Sequence, residues 1–453
     1  MSRVLVRGCE AVVTMDDAGT ELTGGSVLAV DGVITWAGTG EPPGGTAGAY
    51  VIDGRGTVAL PGLVNTHHHL YQLLTRVQAQ QADLFGWLTH LYPLWAGMTE
   101  DLVRDAARAG LAELALSGCT TAADHHYLFP QDAGDCFAAT IEAAGEVGLR
   151  FAPTRGSMDR GVSDGGLPPD EVVETTEAAL AATAAAVDAW HDPAPGSMVQ
   201  VGVAPCSPFS VSGDLMREAA DLAADKGVRL HTHLSETADD VKVCRETYGC
   251  GPVELLERLG WLHDRTWLAH GVHLDDGEIT ALARAGTGVA HCPSSNMRLG
   301  SGLARVPELL TAGVKVGLGV DGSASNDAGD LLAEARQAMF TARARLGPAA
   351  MDARTALRLA TRGGAEALGR SDLGVIEPGR RADLVLFRVD TLPFAGTAPD
   401  PVAALAFCAP QRAWQVLVEG RIVVAGGRLA TLDEEEVAKR AAQASAELLE
   451  GLA

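Results

Sequence analysis

The chain has 453 residues, 47% of them hydrophobic, so it can bury a large core; that length suits one large barrel plus a smaller module. Its formal net charge of -23 argues against nucleic acid or an anionic membrane held through a broad basic face. A cytoplasmic, self-repelling protein with no nucleic-acid or membrane partner is the expectation.

Eight cysteines (Cys9, Cys119, Cys136, Cys206, Cys244, Cys250, Cys292 and Cys408) show no C-x-x-C spacing, so reduced and mostly buried thiols are expected. Met1–Arg7 lacks the long apolar stretch of a signal peptide. No apolar run reaches membrane-spanning length without Gly, Pro or a charge.

Residues 1–58 read as short strands and turns. Val4–Val6, Ser26–Val30 and Val33–Trp36 are β-like, and Asp31-Gly32 is a hairpin signal. From about residue 59 the rhythm becomes helix, glycine, apolar strand, polar end. Thr99 is an N-cap candidate, and Leu102, Val103, Ala106, Leu111 and Leu114 recur at roughly helical spacing up to Gly118. The same joint recurs at Gly148, Gly227, Gly286 and Gly313. Eight strands are predicted, at 61–67, 119–125, 149–155, 199–206, 228–233, 266–271, 287–291 and 314–321. Alternation with helices makes the sheet parallel, and eight units over this length close into a (β/α)8 TIM barrel spanning 59–371. An open doubly wound sheet would more often carry a glycine-rich phosphate loop after its first strand, and none is present. Beyond residue 372 strands return at Ala382–Phe387, Trp414–Val418 and Ile422–Val424, followed by an Ala/Glu-rich helix over Asp433–Leu452. Segments 1–58 and 372–453 are expected to join into one small β-sandwich module.

The predicted strand ends carry the chemistry. His67 and His69 alternate on one face of the first strand, with His68 turned away. His233, His270, His291 and Asp321 end later strands. A lone histidine at a strand end is more often a hydrogen-bonded structural residue. Five of eight strands ending in His or Asp instead describe a hydrolytic metal site, because imidazole and carboxylate ligands with one open position activate water. H-E-x-x-H is absent, as is H-x-E with P-C-x-x-C.

The joined pattern Pro61-Gly62-Leu63-Val64-Asn65-Thr66-His67-His68-His69, His231-Thr232-His233-Leu234-Ser235-Glu236-Thr237, Ala269-His270-Gly271 and Val320-Asp321-Gly322 resembles the mononuclear deaminase branch of the amidohydrolase superfamily. Further stretches, Cys119–Tyr127, Gly165–Pro169, Ala204–Ser210 and His291–Leu299, resemble its bacterial 8-oxoguanine deaminase group. The resemblance implies one divalent metal ion, zinc or else iron, on His67, His69, His233 and Asp321. It implies Glu236 as proton shuttle, His270 as the group orienting the nucleophile, and Asp321 as proton acceptor. Relatives with two metals use a carboxylated lysine on the fourth strand. The only lysines here are Lys226, Lys242, Lys315 and Lys439, none of them on that strand.

The substrate expected from the resemblance is a small aminated purine, 8-oxoguanine first, with guanine, isoxanthopterin and a hydroxy-s-triazine as alternatives. Gln72 matches a purine-contacting glutamine of guanine deaminases, whereas their arginine at the end of the fourth strand is missing at Val203–Cys206. Tyr71, Phe85, Trp87, Tyr92 and Trp95 crowd together and read either as a lid over a flat ring or as helix packing. Trp87, Tyr127, Arg155, Cys206 and Asn296 are the other pocket candidates. A scaffold that has lost catalysis is the reading from a different class; the presence of every expected ligand counts against it. The sequence is compatible with a homo-oligomer.

Overall fold

The computed structural model describes residues 2–450. Eight short parallel strands form a closed barrel: β1 (Leu63–Asn65), β2 (Cys119–His126), β3 (Arg150–Ser157), β4 (Gly202–Pro205), β5 (Leu230–Leu234), β6 (Thr266–His270), β7 (Gly288–His291) and β8 (Lys315–Leu318). Leu318 of β8 lies opposite Asn65 of β1 and closes the ring. Helices cover the outside and side chains fill the inside, so the strands are buried almost throughout, as in a parallel sheet covered on both faces.

After β1 come a 3-10 turn (Leu70–Thr75), helix α1 (Leu84–Trp95) and helix α2 (Glu100–Ser117). Thr99 caps α2 by accepting the Leu102 amide, and Gly118 ends it at φ 107°. A β-carbon there would lie 2.8 Å from the Phe387 ring, so both φ and space call for glycine. The predicted joints at Gly148, Gly227, Gly286 and Gly313 also carry positive φ.

The two chain ends meet in one nine-stranded mixed sheet. Asp31 and Gly32 turn the hairpin between Glu21–Val30 and Val33–Thr39 with φ of 48° and 77°, the left-handed pair that a type I′ turn needs. Thr57–Pro61 pairs antiparallel with Leu384–Arg388, which stitches the N-terminal strands to the C-terminal ones. Alternation sorts the side chains of this pair. Ala59, Leu384 and Leu386 enter the module's own core, whereas Val58, Leu60, Val385 and Phe387 join the barrel core.

Pairing in this sheet runs through Pro61, and the first barrel strand begins at Leu63. Gly62 makes the handover because a β-carbon would sit 2.1 Å from the Thr120 hydroxyl. A fully buried ion pair, Arg150 Nε to Asp383 Oδ2 at 2.6 Å, bolts the base of β3 to the module. Arg150 also donates to the carbonyls of Gly196 (2.6 Å) and Ser197 (3.0 Å). The terminal helix, Glu434–Glu450, buries Ala441, Ala444 and Leu448, and Ser445 donates to the Leu74 carbonyl at 2.7 Å. The expected end of that helix at Leu452 falls outside the described residues. No disulfide forms among the described residues, and seven of the eight cysteines are buried. Among the described residues no helix is long and apolar enough to cross a membrane.

Candidate active site

The C-terminal ends of the barrel strands converge on a buried cluster of imidazoles and carboxylates. β1 stops at Asn65, so His67 and His69 stand on the turn beyond it, not on the strand. Long-range hydrogen bonds aim the turn instead. The Asp321 amide donates to the His67 carbonyl at 3.0 Å, and His69 Nδ1 donates to the His125 carbonyl at 2.7 Å. His68 turns away towards α2, its Nε2 3.7 Å from where a β-carbon on Gly110 would lie.

Each ring is held from behind. His233 Nδ1 donates to the Cys206 carbonyl at 2.6 Å. His67 Nδ1 donates to His231 Nε2 at 2.8 Å, and His231 Nδ1 donates to the Trp267 carbonyl at 2.9 Å. These bonds set the tautomers, so His67, His69 and His233 each present an unprotonated Nε2 to the centre. Burial keeps His67 and His233 well below the usual imidazole range, hence neutral. The His69 and His233 Nε2 atoms are 3.0 Å apart, and His67 Nε2 has no hydrogen-bond partner. Facing lone pairs at that distance repel unless a cation lies between them. Asp321 Oδ1 stands 3.4 Å from His67 Nε2 and 3.5 Å from His69 Nε2. This donor set of neutral imidazoles and one carboxylate fits a divalent ion of the zinc type.

Glu236 and His270 flank the cluster. Glu236 Oε2 lies 3.5 Å from His270 Nε2, and Asp321 Oδ2 lies 3.9 Å from the same nitrogen. His270 Nδ1 donates to Asn296 Oδ1 at 3.0 Å, which orients the ring. Burial opposes a charge on His270, but Glu236, Asp321 and Asn296 together outweigh it and raise its pKa. Burial pushes the Glu236 carboxyl up to about 7; the His270 charge works against this, and Asp321 and Asp240 add to it. Ser235, His270 and Asp321 all have positive φ, of 53°, 73° and 65°. Non-glycine residues held there carry strain, and here that strain gathers around the reactive groups.

The pocket over this cluster is walled by His69, Gln72, Trp87, Tyr127, Cys206, His233, Glu236, His270 and Asp321, with Leu84, Leu88, Tyr92, Phe209 and Leu299 on the apolar side. Its volume is about 30 Å³, room for little more than water, so a ring enters only if a wall moves. Gln72 is buried with neither amide atom paired, and a β-carbon on Gly322 would come within 1.8 Å of its Oε1. Of the crowded aromatics, Trp87 and Tyr92 reach the pocket. Phe85 meets Phe209 at 5.3 Å, and Tyr71 packs edge-on against Trp95 at 5.3 Å behind the wall.

Three expectations are changed. Arg155 does not line the pocket: Glu174 draws its guanidinium aside with two 2.7 Å hydrogen bonds, and it lies over the Phe129 ring. His291, at the end of β7, is buried but stands neither with the ligand atoms of His67, His69, His125 and His233 nor with those of His67, His270 and Asp321. Asn296 reaches the site through His270 and not as a pocket wall. Sequence reasoning also missed His125, which joins His67, His69 and His233 and stacks on His233 at 4.9 Å. Its signal was its place at the end of a predicted strand.

The Amidohydrolase family model matches residues 58–423. The 8-oxoguanine deaminase of Pseudomonas aeruginosa is 46% identical over 456 residues, covering 100% of both chains. Hydroxydechloroatrazine ethylaminohydrolase of Pseudomonas sp. strain ADP is 36% identical, covering 97% of this chain and 95% of its own. Among solved structures, atrazine chlorohydrolase from Arthrobacter aurescens complexed with zinc matches with a TM-score of 0.93 and 38% identity, over 98% of this chain and 100% of its own. A barrel with histidines and an aspartate at its strand ends, matched across its length by this family model, makes the chain a member of the amidohydrolase family.

Proposed function

We propose that the protein is a cytoplasmic hydrolytic deaminase that converts 8-oxoguanine and water into urate and ammonia, using one divalent ion, zinc. The observation that carries the reading is the end-to-end likeness, at 46% identity, to an 8-oxoguanine deaminase, in a chain whose buried Glu236 faces a cluster of bare imidazole nitrogens.

His67, His69, His233 and Asp321 would hold the ion. When bound, the ion supplies Lewis acidity that makes a water acidic near neutral pH. Asp321 Oδ2, on the side away from His67, takes the proton of the attacking water. His270, held by Asn296 between the two carboxylates, orients that water and stabilises the charge that develops on oxygen. Glu236, with its pKa near 7, is the proton donor matched to neutral solution. It protonates a ring nitrogen as the carbon–oxygen bond forms. Left as a carboxylate, it takes the remaining hydroxyl proton and passes it to the amino group as the carbon–nitrogen bond breaks and ammonia leaves, and the proton held on Asp321 returns Glu236 to its starting form. The Gln72 amide can both donate and accept along the edge of a purine. Trp87, Tyr92 and Leu299 supply flat apolar walls, and Tyr127 and Cys206 complete the contact.

A second reading keeps this chemistry on another aminated ring. It rests on relatives with other substrates in their names, among them isoxanthopterin deaminase at 35% identity and the triazine hydrolases. Ammonia release from zinc-loaded protein over 8-oxoguanine, guanine, isoxanthopterin, adenine, cytosine and a hydroxy-s-triazine decides between them. A dominant rate on 8-oxoguanine that vanishes in Glu236→Gln supports the proposal. A dominant rate on another ring overturns the substrate and keeps the mechanism.

A further inference from the structure

At the opposite mouth of the barrel, a cavity of about 250 Å³ opens between β3 to β6 and the segment Leu368–Arg370. Its walls carry Arg229, Arg265, Arg370 and His191, and no aspartate or glutamate. In a chain with a net charge of -23, that gathering runs against composition. Arg370 is paired with Asp372 at 2.9 Å. Arg229 and Arg265 form no ion pair among the described residues. Arg229 uses only Nη2, on the carbonyls of Asp264 (3.3 Å) and Ala367 (2.8 Å). Its Nε is buried without a partner. A β-carbon at position 369 would come within 2.4 Å of its Nη1, so Gly369 keeps the approach to the guanidinium clear. Burial disfavours the Arg229 charge; Asp264 returns part of the loss and Arg265 opposes it again. A guanidinium with spare donors and too little opposing charge is built to receive an oxyanion, which accepts its parallel N–H groups two at a time.

We propose that this cavity binds a phosphate-type oxyanion between Arg229 and Arg265. Trp267 forms part of the wall, with the Arg229 guanidinium 5.7 Å from its ring. The same indole stacks on His231 at 4.4 Å and donates to the Thr66 carbonyl at 3.1 Å. An anion here therefore sits beside the indole that stacks on His231, the residue behind the His67 ring. Free phosphate and a phosphate monoester present the same oxygens, and the test separates them.

Metal-loaded protein is titrated calorimetrically at constant ionic strength, with inorganic phosphate in one arm and a nucleoside 5′-monophosphate in the other. Saturable binding is expected with half-saturation at or below about 1 mM. Arg265→Gln weakens it about tenfold, and Arg265→Lys, which keeps the charge but not the fork, falls between. Tighter binding of the monoester assigns the oxyanion to a nucleotide; equal or weaker binding assigns it to free phosphate. Failure of both to saturate overturns the proposal. So does binding unchanged in Arg265→Gln with the fold intact by circular dichroism, because the anion then sits elsewhere, the metal centre included.

Discussion

The two mouths of the barrel are built from the same eight strands and have opposite chemistry. At the C-terminal mouth imidazoles and carboxylates stand within 3.0 to 3.9 Å of one another, the backbone is strained at three non-glycine residues, and the cavity is about 30 Å³. At the N-terminal mouth the cavity is about 250 Å³, its charged walls are cationic, and none of its non-glycine lining residues has positive φ. The first end confines groups that would repel or titrate in water, and that takes long-range hydrogen bonds and strain. The second end leaves donors unspent, and that needs only space and a shortage of acidic neighbours. Reactivity thus goes with a tightly filled cavity and spare binding capacity with a roomier one.

The largest expected effect tests the reactive end. Glu236→Gln should lower kcat by about 10²–10⁴-fold, the usual contribution of a positioned proton donor. Elemental analysis should show the metal content unchanged; a loss of metal would mean that Glu236 supports the cluster and does not act as a shuttle. At the other end, Arg150→Met strands the buried Asp383 carboxylate and should cost about 3–5 kcal/mol in denaturant unfolding. Adding Asp383→Leu should recover much of that loss, whereas additive losses would show that the pair is not the bolt between module and barrel. Gln72→Ala should cost about 1–3 kcal/mol in kcat/KM, and Gly322→Ala should mimic it by displacing the amide. If the two variants differ in their ranking of 8-oxoguanine against guanine, Gln72 is not the purine contact.

The comparison is sharpened by Arg265→Gln, which should weaken phosphate about tenfold, roughly 1.4 kcal/mol, and leave kcat on the amino-purine unchanged. The smallest effect is in pH. Because burial raises Glu236 to about 7, its protonated, donating form is lost as pH rises through that value. The profile of kcat/KM should have an alkaline limb with its midpoint near pH 7 that Glu236→Gln removes. A profile flat up to pH 9 would break the link between the burial of this carboxyl and its role.

Much of this molecule was legible as pattern. The repeated helix–glycine–strand joint announced eight parallel strands, and histidines recurring at strand ends marked one mouth as chemical. Glu236 was legible only through the family resemblance of His231–Thr237; its place three residues past His233 fits a loop carboxylate equally well. His67 and His69 were placed together for a reason the structure changes: the turn after Asn65, held by Asp321 and His125, and not strand alternation, brings them together. Arg155 shows the limit from the other side. Its position at a strand end was readable, but Glu174, nineteen residues on, decides where its guanidinium goes.

Local periodicity and turn chemistry were enough to set the fold class, the order of the elements and the residue types at the strand ends, because each depends on neighbours within a few positions. Only the tertiary structure decided the rest: the tautomers of the histidines, the Asn296 bond behind His270, the place of Pro61 in the module, and the meeting of Arg229 with Arg265 and Gly369. Those depend on groups from 26 to more than 300 positions apart, brought into contact by closure of the barrel, and no local pattern carries that information.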